Sequence, residues 1–147
     1  MTVSTAKLSY WGSYVIDYSA SFNPYLLNYT SIELNILPYP NTSPPKFQGT
    51  LMNPYTIYVG SSEAFRLPRI KDPDDDPFSV SVTYLAGTVP AFITYDDVKR
   101  AFAFQPKEKD VGIYTFVINM TDSHPLKCKT NLVNFVIEVL LYSPAQY

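Results

Sequence analysis

The chain has 147 residues, 46% hydrophobic and only 16% charged, so it can form one domain of ordinary size and is too apolar for a disordered chain. Its formal net charge is -2, with eleven basic and thirteen acidic residues. The chain therefore has no excess of basic residues of the kind found in nucleic-acid-binding proteins, and no nucleic-acid partner is expected.

The residue types favour β-structure. Thirteen tyrosines, nine phenylalanines and thirteen prolines stand against five glycines, a composition typical of strands punctuated by turns. No ten-residue window has the apolar spacing of a surface helix without a break, so an all-β protein is predicted. No apolar run approaches the length of a membrane span, and none is predicted within this chain.

Residues 10–38 are predicted to form two strands. Apolar residues alternate with polar ones in GSYVIDYSAS and again in SIELNIL, as in half-buried strands. Two strands alone are marginally stable in water, so this pair needs further strands to pack on. Residues 1–40 are therefore interpreted as the C-terminal strand pair of an incomplete β-sandwich repeat.

A proline-rich stretch follows the strand pair. PYPNTSPPKFQGTLMNP holds five prolines and shows no regular apolar pattern, which is typical of a stiff, extended connection. Residues 41–54 are predicted to be a linker, and residues 55–147 a complete β-sandwich domain.

Seven short strands separated by turn signals are predicted in that domain. They span residues 55–59, 64–70, 78–85, 91–95, 100–105, 113–121 and 131–141. This number of strands in about 90 residues predicts a seven-stranded Greek-key sandwich. The alternation also assigns the core faces, to which these side chains are predicted to belong: Phe78, Val80, Val82, Tyr84, Phe102, Phe104, Tyr114, Phe116, Ile118, Met120, Phe135, Ile137 and Val139.

Two segments of the chain resemble each other at an offset of one hundred residues. Gly12 and Tyr14 correspond to Gly112 and Tyr114, and each pair opens an alternating strand. This period indicates a tandem array of sandwiches. In the second copy, Asp110, Gly112 and Tyr114 are predicted to form a structural tyrosine corner, in which the hydroxyl bonds to nearby backbone.

The order of several motifs carries a family resemblance. FRLPRIKDPDDDPFSVSV, VPAFITYD, AFAFQP and DVGIYTFVINMTD follow one another, and this series resembles the cadherin-like domain of the dystroglycan type, an Ig-like sandwich, over residues 43–141. The resemblance implies a repeat of extracellular or cell-surface proteins with a role in adhesion or spacing. Classical cadherins place acidic residues between domains, whereas LPYPNTSPPKF contains none.

An acidic loop is the candidate metal site. Asp72, Asp74, Asp75 and Asp76 lie within five residues, and Asp122, at the end of a strand, is a candidate fifth ligand. Asp17, which also ends a strand, is the alternative to Asp122. Calcium prefers six to eight oxygen ligands, several of which clustered aspartates supply. The alternative is a solvated turn stabilised by aspartate side chains. Calcium is the only candidate ion, and no cofactor is required.

Three asparagines stand in N-glycosylation sequons: Asn28, Asn41 and Asn119. The strand alternation places Asn119 on the outer face of its sheet, where a glycan carrier must lie.

No catalytic constellation is predicted, and the chain is expected not to be an enzyme. The single histidine, His124, is interpreted as a loop residue without the partners of a zinc site or a triad. Asp96 and Asp97 are adjacent on a turn and cannot flank one glycosidic bond. Cys128, the single cysteine, permits no disulfide within the chain, although its thiol could join two copies.

Three functions remain open. The first is an extracellular structural or adhesion module, and the second is a subunit of a filament or surface coat that assembles by strand addition. The third is a carbohydrate or peptide binder that uses tyrosines expected to be exposed, such as Tyr25, Tyr29, Tyr39, Tyr55 and Tyr58. The expected partners are other copies of the chain, neighbouring repeats or other surface proteins.

Overall fold

The computed structural model describes residues 11–22, 25–37 and 39–141, with only the backbone described between residues 18 and 29. All regular structure in these residues is β, except for one 3-10 turn at Glu108–Asp110. The predicted all-β class is confirmed. The chain divides into two compact units, one within residues 1–40 and one from Asn41 onward.

The first unit contains one antiparallel hairpin. Strand β1 (Gly12–Phe22) pairs with β2 (Tyr25–Ile36), and Gly12 lies opposite Ile36. Among its described side chains, Tyr14 is 40% exposed and Ile32 is 58% exposed. The described part of this unit therefore has no apolar core of its own.

The described residues of the second unit form nine strands. They are β3 (Lys46–Phe47), β4 (Tyr55–Tyr58), β5 (Glu63–Arg66), β6 (Ile70–Lys71), β7 (Phe78–Tyr84), β8 (Ile93–Asp96), β9 (Ala101–Phe104), β10 (Gly112–Asp122) and β11 (Thr130–Leu140). A four-stranded sheet has the order β4-β11-β10-β7, in which β4 runs parallel to β11 and the other neighbours are antiparallel. The remaining strands form a three-stranded sheet, β5-β9-β8, and a two-stranded sheet, β3-β6.

The core of this unit lies between the sheets and is rich in aromatic rings. Phe102 of β9 contacts Phe116 of β10 and Phe135 of β11, with ring centroids 5.3 and 5.1 Å apart. The side chains predicted to face inward on β9, β10 and β11 are buried there, except that of Tyr114, which is partly buried against the core. Aromatic contacts of this kind add to the free energy gained by burying apolar area.

Segment 41–54, predicted to be a linker, instead packs within the second unit. Phe47 in β3 pairs with Ile70 in β6, and Pro45 is buried. The side chain of Asn53 donates to the backbone oxygen of Asn134 and accepts from the backbone N–H of Val136. Because an extended, proline-rich segment makes few hydrogen bonds within itself, the polar groups of segment 41–54 are available for such contacts.

The predicted strand at residues 64–70 is divided in two. β5 ends at Arg66 and β6 begins at Ile70, on either side of Pro68. Proline lacks the N–H that a strand ladder requires. The remaining six predicted strands are each present within a few residues of their expected bounds.

The β1–β2 and β10–β11 hairpins share their geometry. β1 and β10 each contain 11 residues and begin at a glycine with positive φ, +144° at Gly12 and +154° at Gly112. Residues with side chains rarely adopt such angles. Gly12 lies opposite Ile36, and Gly112 lies opposite Val139. This correspondence supports the internal repeat, while the origin of the first unit in an incomplete repeat stays a prediction.

Candidate metal centre

The acidic loop between β6 and β7 is folded by its own first residue. Oδ1 of Asp72 accepts hydrogen bonds from the backbone N–H groups of Asp74 (2.9 Å) and Asp76 (3.1 Å), which is the turn-forming use of aspartate. Asp75 has a φ of +61°. The loop therefore turns so that alternate aspartates lie on the same side.

Three aspartates of the loop converge on one point. Carboxylate oxygens of Asp72, Asp74 and Asp76 lie within 4.8 Å of one another. Asp122, at the end of β10, is 2% exposed and Asp72 is 1% exposed. We refer to these four residues as the carboxylate cluster; its three loop aspartates form the candidate metal group, and Asp122, also predicted as a ligand, lies outside that group.

Asp75, also predicted as a ligand, is not part of the cluster. Its side chain is 77% exposed, and its Oδ1 lies 3.0 Å from Nζ of Lys71. The left-handed backbone at this residue accounts for the difference, since it turns one aspartate of the loop outward. An exposed ion pair of this type contributes little to stability.

Segment 41–43 supplies the polar groups that bind two members of the cluster. The backbone N–H and hydroxyl of Thr42 donate to Asp74 at 2.7 and 2.6 Å. Nδ2 of Asn41 donates to Oδ2 of Asp122 at 2.8 Å. These bonds join parts of the chain that are 32 and 81 positions apart.

The pKa values within the cluster diverge. Burial raises the pKa of Asp76, and the charges of Asp72, Asp122 and Asp74 raise it further, although His124 opposes them. The hydrogen bond from the Thr42 hydroxyl is the main cause that lowers the pKa of Asp74. Repulsion among carboxylates is thus relieved only in part by hydrogen bonds.

The pKa of Asp122 is also lowered. Burial alone would raise it, but the hydrogen bonds from the Asn41 side chain and from the backbone N–H groups of His124 and Lys129 together outweigh burial. Asp122 is therefore held as a carboxylate, the form that a cation binds.

Oxygen atoms left without hydrogen-bond donors show that the cluster fits a hard cation. Oδ2 of Asp72, Oδ2 of Asp76 and Oδ1 of Asn41 are buried and have no hydrogen-bond partner in the described part of the chain. Two oxygens bound to one calcium ion lie at most roughly 5.2 Å apart, and the carboxylate oxygens of the three loop aspartates all lie within 4.8 Å of one another. These three carboxylates are therefore close enough together to bind one cation.

Two residues of the site were missed as members of it. His124, interpreted as a loop residue, is buried beside the cluster, where its Nδ1 accepts from the backbone N–H of Leu126. Asn41 was considered only as a sequon. The sequence signal that could have identified His124 is its position two residues after Asp122. Cys128 is exposed, and its Sγ lies 3.7 Å from the backbone oxygen of His124.

The three sequons differ in their surroundings. The Asn41 side chain donates to Asp122 and to the backbone oxygen of Lys127. Asn119 lies half-buried between the buried residues Ile118 and Met120 of β10, which places it on the outer face of the sheet. The side chain of Asn28 lies outside the described part of the chain.

At the start of β10, the Tyr114 hydroxyl donates a 2.9 Å hydrogen bond to the backbone oxygen of Asp110. This is the contact expected of a tyrosine corner. Oδ2 of Asp110 in turn accepts from the backbone N–H of Lys107. This corner has a structural role. It lies at the start of β10, at the opposite end of the strand from Asp122.

Two surface cavities of about 440 and 700 Å³ lie elsewhere on the second unit. Glu63, Thr94 and Lys107 line the smaller one, and Arg66 and Asp97 line the larger one. Neither includes the carboxylate cluster or the tyrosines that were considered for ligand binding. No helix in the described residues is long and apolar enough to cross a membrane.

No protein-family model matches the sequence, and a search of curated proteins finds no significant match. Structures with a similar fold have been solved. A nucleoside hydrolase-related hypothetical protein from Saccharophagus degradans is 16% identical with a TM-score of 0.51, and the match covers 68% of this chain and 26% of that one. Human protocadherin-24 EC1-2 is 14% identical with a TM-score of 0.47, over 96% of this chain and 71% of that one.

Endo-fucoidan hydrolase MfFcnA4, from glycoside hydrolase family 107, is 14% identical with a TM-score of 0.49, over 90% of this chain and 19% of that one. This chain thus spans about a quarter of the nucleoside hydrolase-related protein and about a fifth of the fucoidan hydrolase. At these identities the likeness concerns the β-fold alone. Cadherin segments and parts of hydrolases both occur among the similar structures.

Proposed function

We propose that the chain is a non-catalytic, extracellular structural or adhesion module of the β-sandwich class, and that its carboxylate cluster binds calcium. The observation that carries the proposal is the set of buried oxygens without donors at Asp72, Asp76 and Asn41. Burying ionised carboxylates without compensation is costly. A divalent cation is the simplest compensation.

The location of the cluster explains why an ion there would serve a structural role. Asn41 begins the second unit, Asp72 and Asp76 lie in the β6–β7 loop, and Asp122 ends β10. An ion bound by the three loop aspartates would fix the loop beside segment 41–43, which donates hydrogen bonds to Asp74 and to Asp122, and it would do so in the folded state only. It would therefore stabilise the fold without performing chemistry.

A calcium titration followed by thermal unfolding tests this proposal. Calcium at about 100 times its dissociation constant is expected to stabilise the folded chain by about 2.7 kcal/mol, and chelation should reverse the effect. Magnesium is the matched control, because it demands a smaller octahedral site and dehydrates reluctantly. Equal stabilisation by both ions, or by neither, would refute a calcium site.

The second candidate is a self-assembling subunit, favoured by the first hairpin. Tyr14, Ile16 and Ile32 are exposed on a pair of strands that matches β10–β11 in geometry but has no described core. Strands from another copy would cover these side chains. If the hairpin mediates assembly, Ile32→Lys abolishes self-association in sedimentation velocity, whereas the exposed control Val98→Lys does not; equal behaviour of the two variants would exclude the hairpin.

A further inference from the structure

Strand β7 forms an unprotected edge of the four-stranded sheet. Its sheet partner among the described residues is β10 alone. Its sequence, FSVSVTY, has no charge, proline or glycine. Natural proteins usually block edge strands with such residues, because an open edge pairs with other strands. The absence of these features from a seven-residue strand suggests that the edge is used.

The backbone groups that this edge offers follow from the pairing with β10. Leu85 donates its N–H to Thr115 O, and Ser123 donates its N–H to Pro77 O. Bonded pairs alternate along an antiparallel ladder, so Ser79, Ser81 and Thr83 bond to β10. The N–H and C=O groups of the residues between them point away from the sheet. These residues are Phe78, Val80, Val82 and Tyr84.

The same four residues leave one flank of the core incompletely covered. Their side chains face the core but are only half-buried. On the neighbouring strand, the inward side chains of Phe116, Ile118 and Met120 are at most 2% exposed. A further strand beside β7 would complete the burial of this flank and contribute the corresponding hydrophobic free energy.

The order of residues in β7 identifies the strand that fits. Read backwards from Tyr84, the strand repeats its own pattern of aromatic, hydroxyl and valine residues, with Ser81 at the centre. We propose that β7 is a homodimer interface, in which the β7 strands of two copies pair antiparallel about a two-fold axis at Ser81. The inference rests on neither the calcium site nor the first hairpin.

Every cross-strand pair in this arrangement joins similar side chains. Phe78 lies opposite Tyr84 of the second copy, Val80 opposite Val82, and Ser81 opposite Ser81. Aromatic, β-branched and hydroxyl pairs of this type stabilise antiparallel strands. The outward N–H and C=O groups then fall in the hydrogen-bonded pairs, and Ser81 falls in a non-hydrogen-bonded pair.

The charged loops do not oppose this pairing. Asp76 precedes β7, and the turn after Tyr84 has no charged residue before Tyr95. Antiparallel pairing brings the acidic loop of one copy beside the uncharged turn of the other. The two acidic loops then lie at opposite ends of a strand about 20 Å long, which is beyond the screening length at physiological salt. The contact is closed and isologous, so it gives a dimer and not a fibre.

Cysteine cross-linking tests the register. In a full-length Cys128→Ser background, Ser81→Cys places two thiols in a non-hydrogen-bonded pair whose Cα atoms are about 4.5 Å apart, within disulfide range. Ser79→Cys is the matched control on the same exposed face, and its two copies are about 14 Å apart. Mild oxidation should give a covalent dimer of the Ser81→Cys variant and no covalent dimer of the Ser79→Cys variant, whose two copies still associate without a disulfide.

A charge exchange tests the same geometry without cysteine. Ser81→Lys and Ser81→Glu each place like charges opposite one another and should weaken dimerisation about tenfold or more in sedimentation equilibrium. An equimolar mixture of the two should restore the dimer. Asn134→Lys, at an exposed position on β11, should leave dimerisation unchanged.

Three results would overturn the proposal. The first is a wild-type chain that stays monomeric at the highest concentration reached. The second is equal cross-linking of the Ser79→Cys and Ser81→Cys variants. The third is a dimer that survives both charge variants and is lost in Ile32→Lys, which would assign association to the hairpin.

Discussion

Nδ2 of Asn41 lies 2.8 Å from Oδ2 of Asp122, and it also donates to the backbone oxygen of Lys127. The first residue of the second unit is thereby bonded to the far end of β10. Asn41→Ala should lower the free energy of unfolding by about 1 to 3 kcal/mol, because a buried carboxylate loses a donor. Denaturant unfolding measures this change.

The control for that measurement is Asn134→Ala. Asn134 is exposed on β11, and exposed substitutions away from special features usually change stability by less than about 0.5 kcal/mol. If the two alanine variants are equally stable, the Asn41 contact does not contribute to the fold.

Glycosylation should distinguish the sequons. In a secretory expression host, we expect glycan on Asn119 and none on Asn41 of the folded product, because Nδ2 of Asn41 is used in the interior of the site. Glycopeptide mass spectrometry measures the occupancy of each. Asn119→Gln should remove that glycan with little effect on stability. Folded protein with a glycan on Asn41 would contradict the structural role of this side chain.

Removal of the Tyr114 and Tyr95 hydroxyls should have different effects on stability. Tyr114→Phe loses the 2.9 Å bond to Asp110 and should cost about 0.5 to 1.5 kcal/mol. The Tyr95 hydroxyl is buried without a partner in the described residues, so Tyr95→Phe should leave stability unchanged or raise it. Chemical denaturation of both variants checks the pair, and a larger loss for Tyr95→Phe would show the assignment to be wrong.

Stability should fall at alkaline pH. Burial raises the pKa values of Tyr55, Tyr95 and Tyr114 above the ordinary value of 10.0, with nearby carboxylates adding to the shift. Above about pH 10 the unfolded chain loses these protons first, so the folded state binds more protons and the free energy of unfolding decreases as pH rises. Below pH 10 the contribution is fully present.

Unfolding measured from pH 8 upward, with phenolate absorbance as the titration signal, tests this behaviour. In Tyr114→Phe, the free energy of unfolding should decline less steeply with pH than in the wild type, because one tyrosine with a raised pKa has been removed. A free energy of unfolding of the wild type that stays constant above pH 10 would contradict the raised tyrosine pKa values.

Strand positions could be predicted from the sequence because alternation reports directly on burial. On β10, for example, the inward residues Phe116, Ile118 and Met120 are buried, and the residues between them are only partly buried. The division of the strand at residues 64–70 was foreseeable from Pro68. The packing of segment 41–54 against the second unit could not be predicted. Its contacts with Asp74, Asp122 and Asn134 are long-range and leave no local sequence pattern.

The candidate site was predictable only in outline. Clustered aspartates mark the loop, but sequence spacing does not show that Asp75 turns outward or that Asn41 and His124 lie beside Asp122. Those facts depend on one positive φ angle at Asp75 and on the meeting of three segments. The sequence therefore predicts the chemistry of the loop, and the fold decides which side chains take part.

Calorimetric titration of calcium into the wild type, Asp72→Asn and Asp75→Asn tests the central claim most directly. Asp72 is buried in the cluster and Asp75 is exposed beside it, so the two variants remove the same charge from the same loop. We predict one calcium bound by the wild type and by Asp75→Asn, with a dissociation constant of roughly 0.1 to 1 mM, and no binding by Asp72→Asn. Absence of binding by the wild type, or equal binding by both variants, would contradict the account.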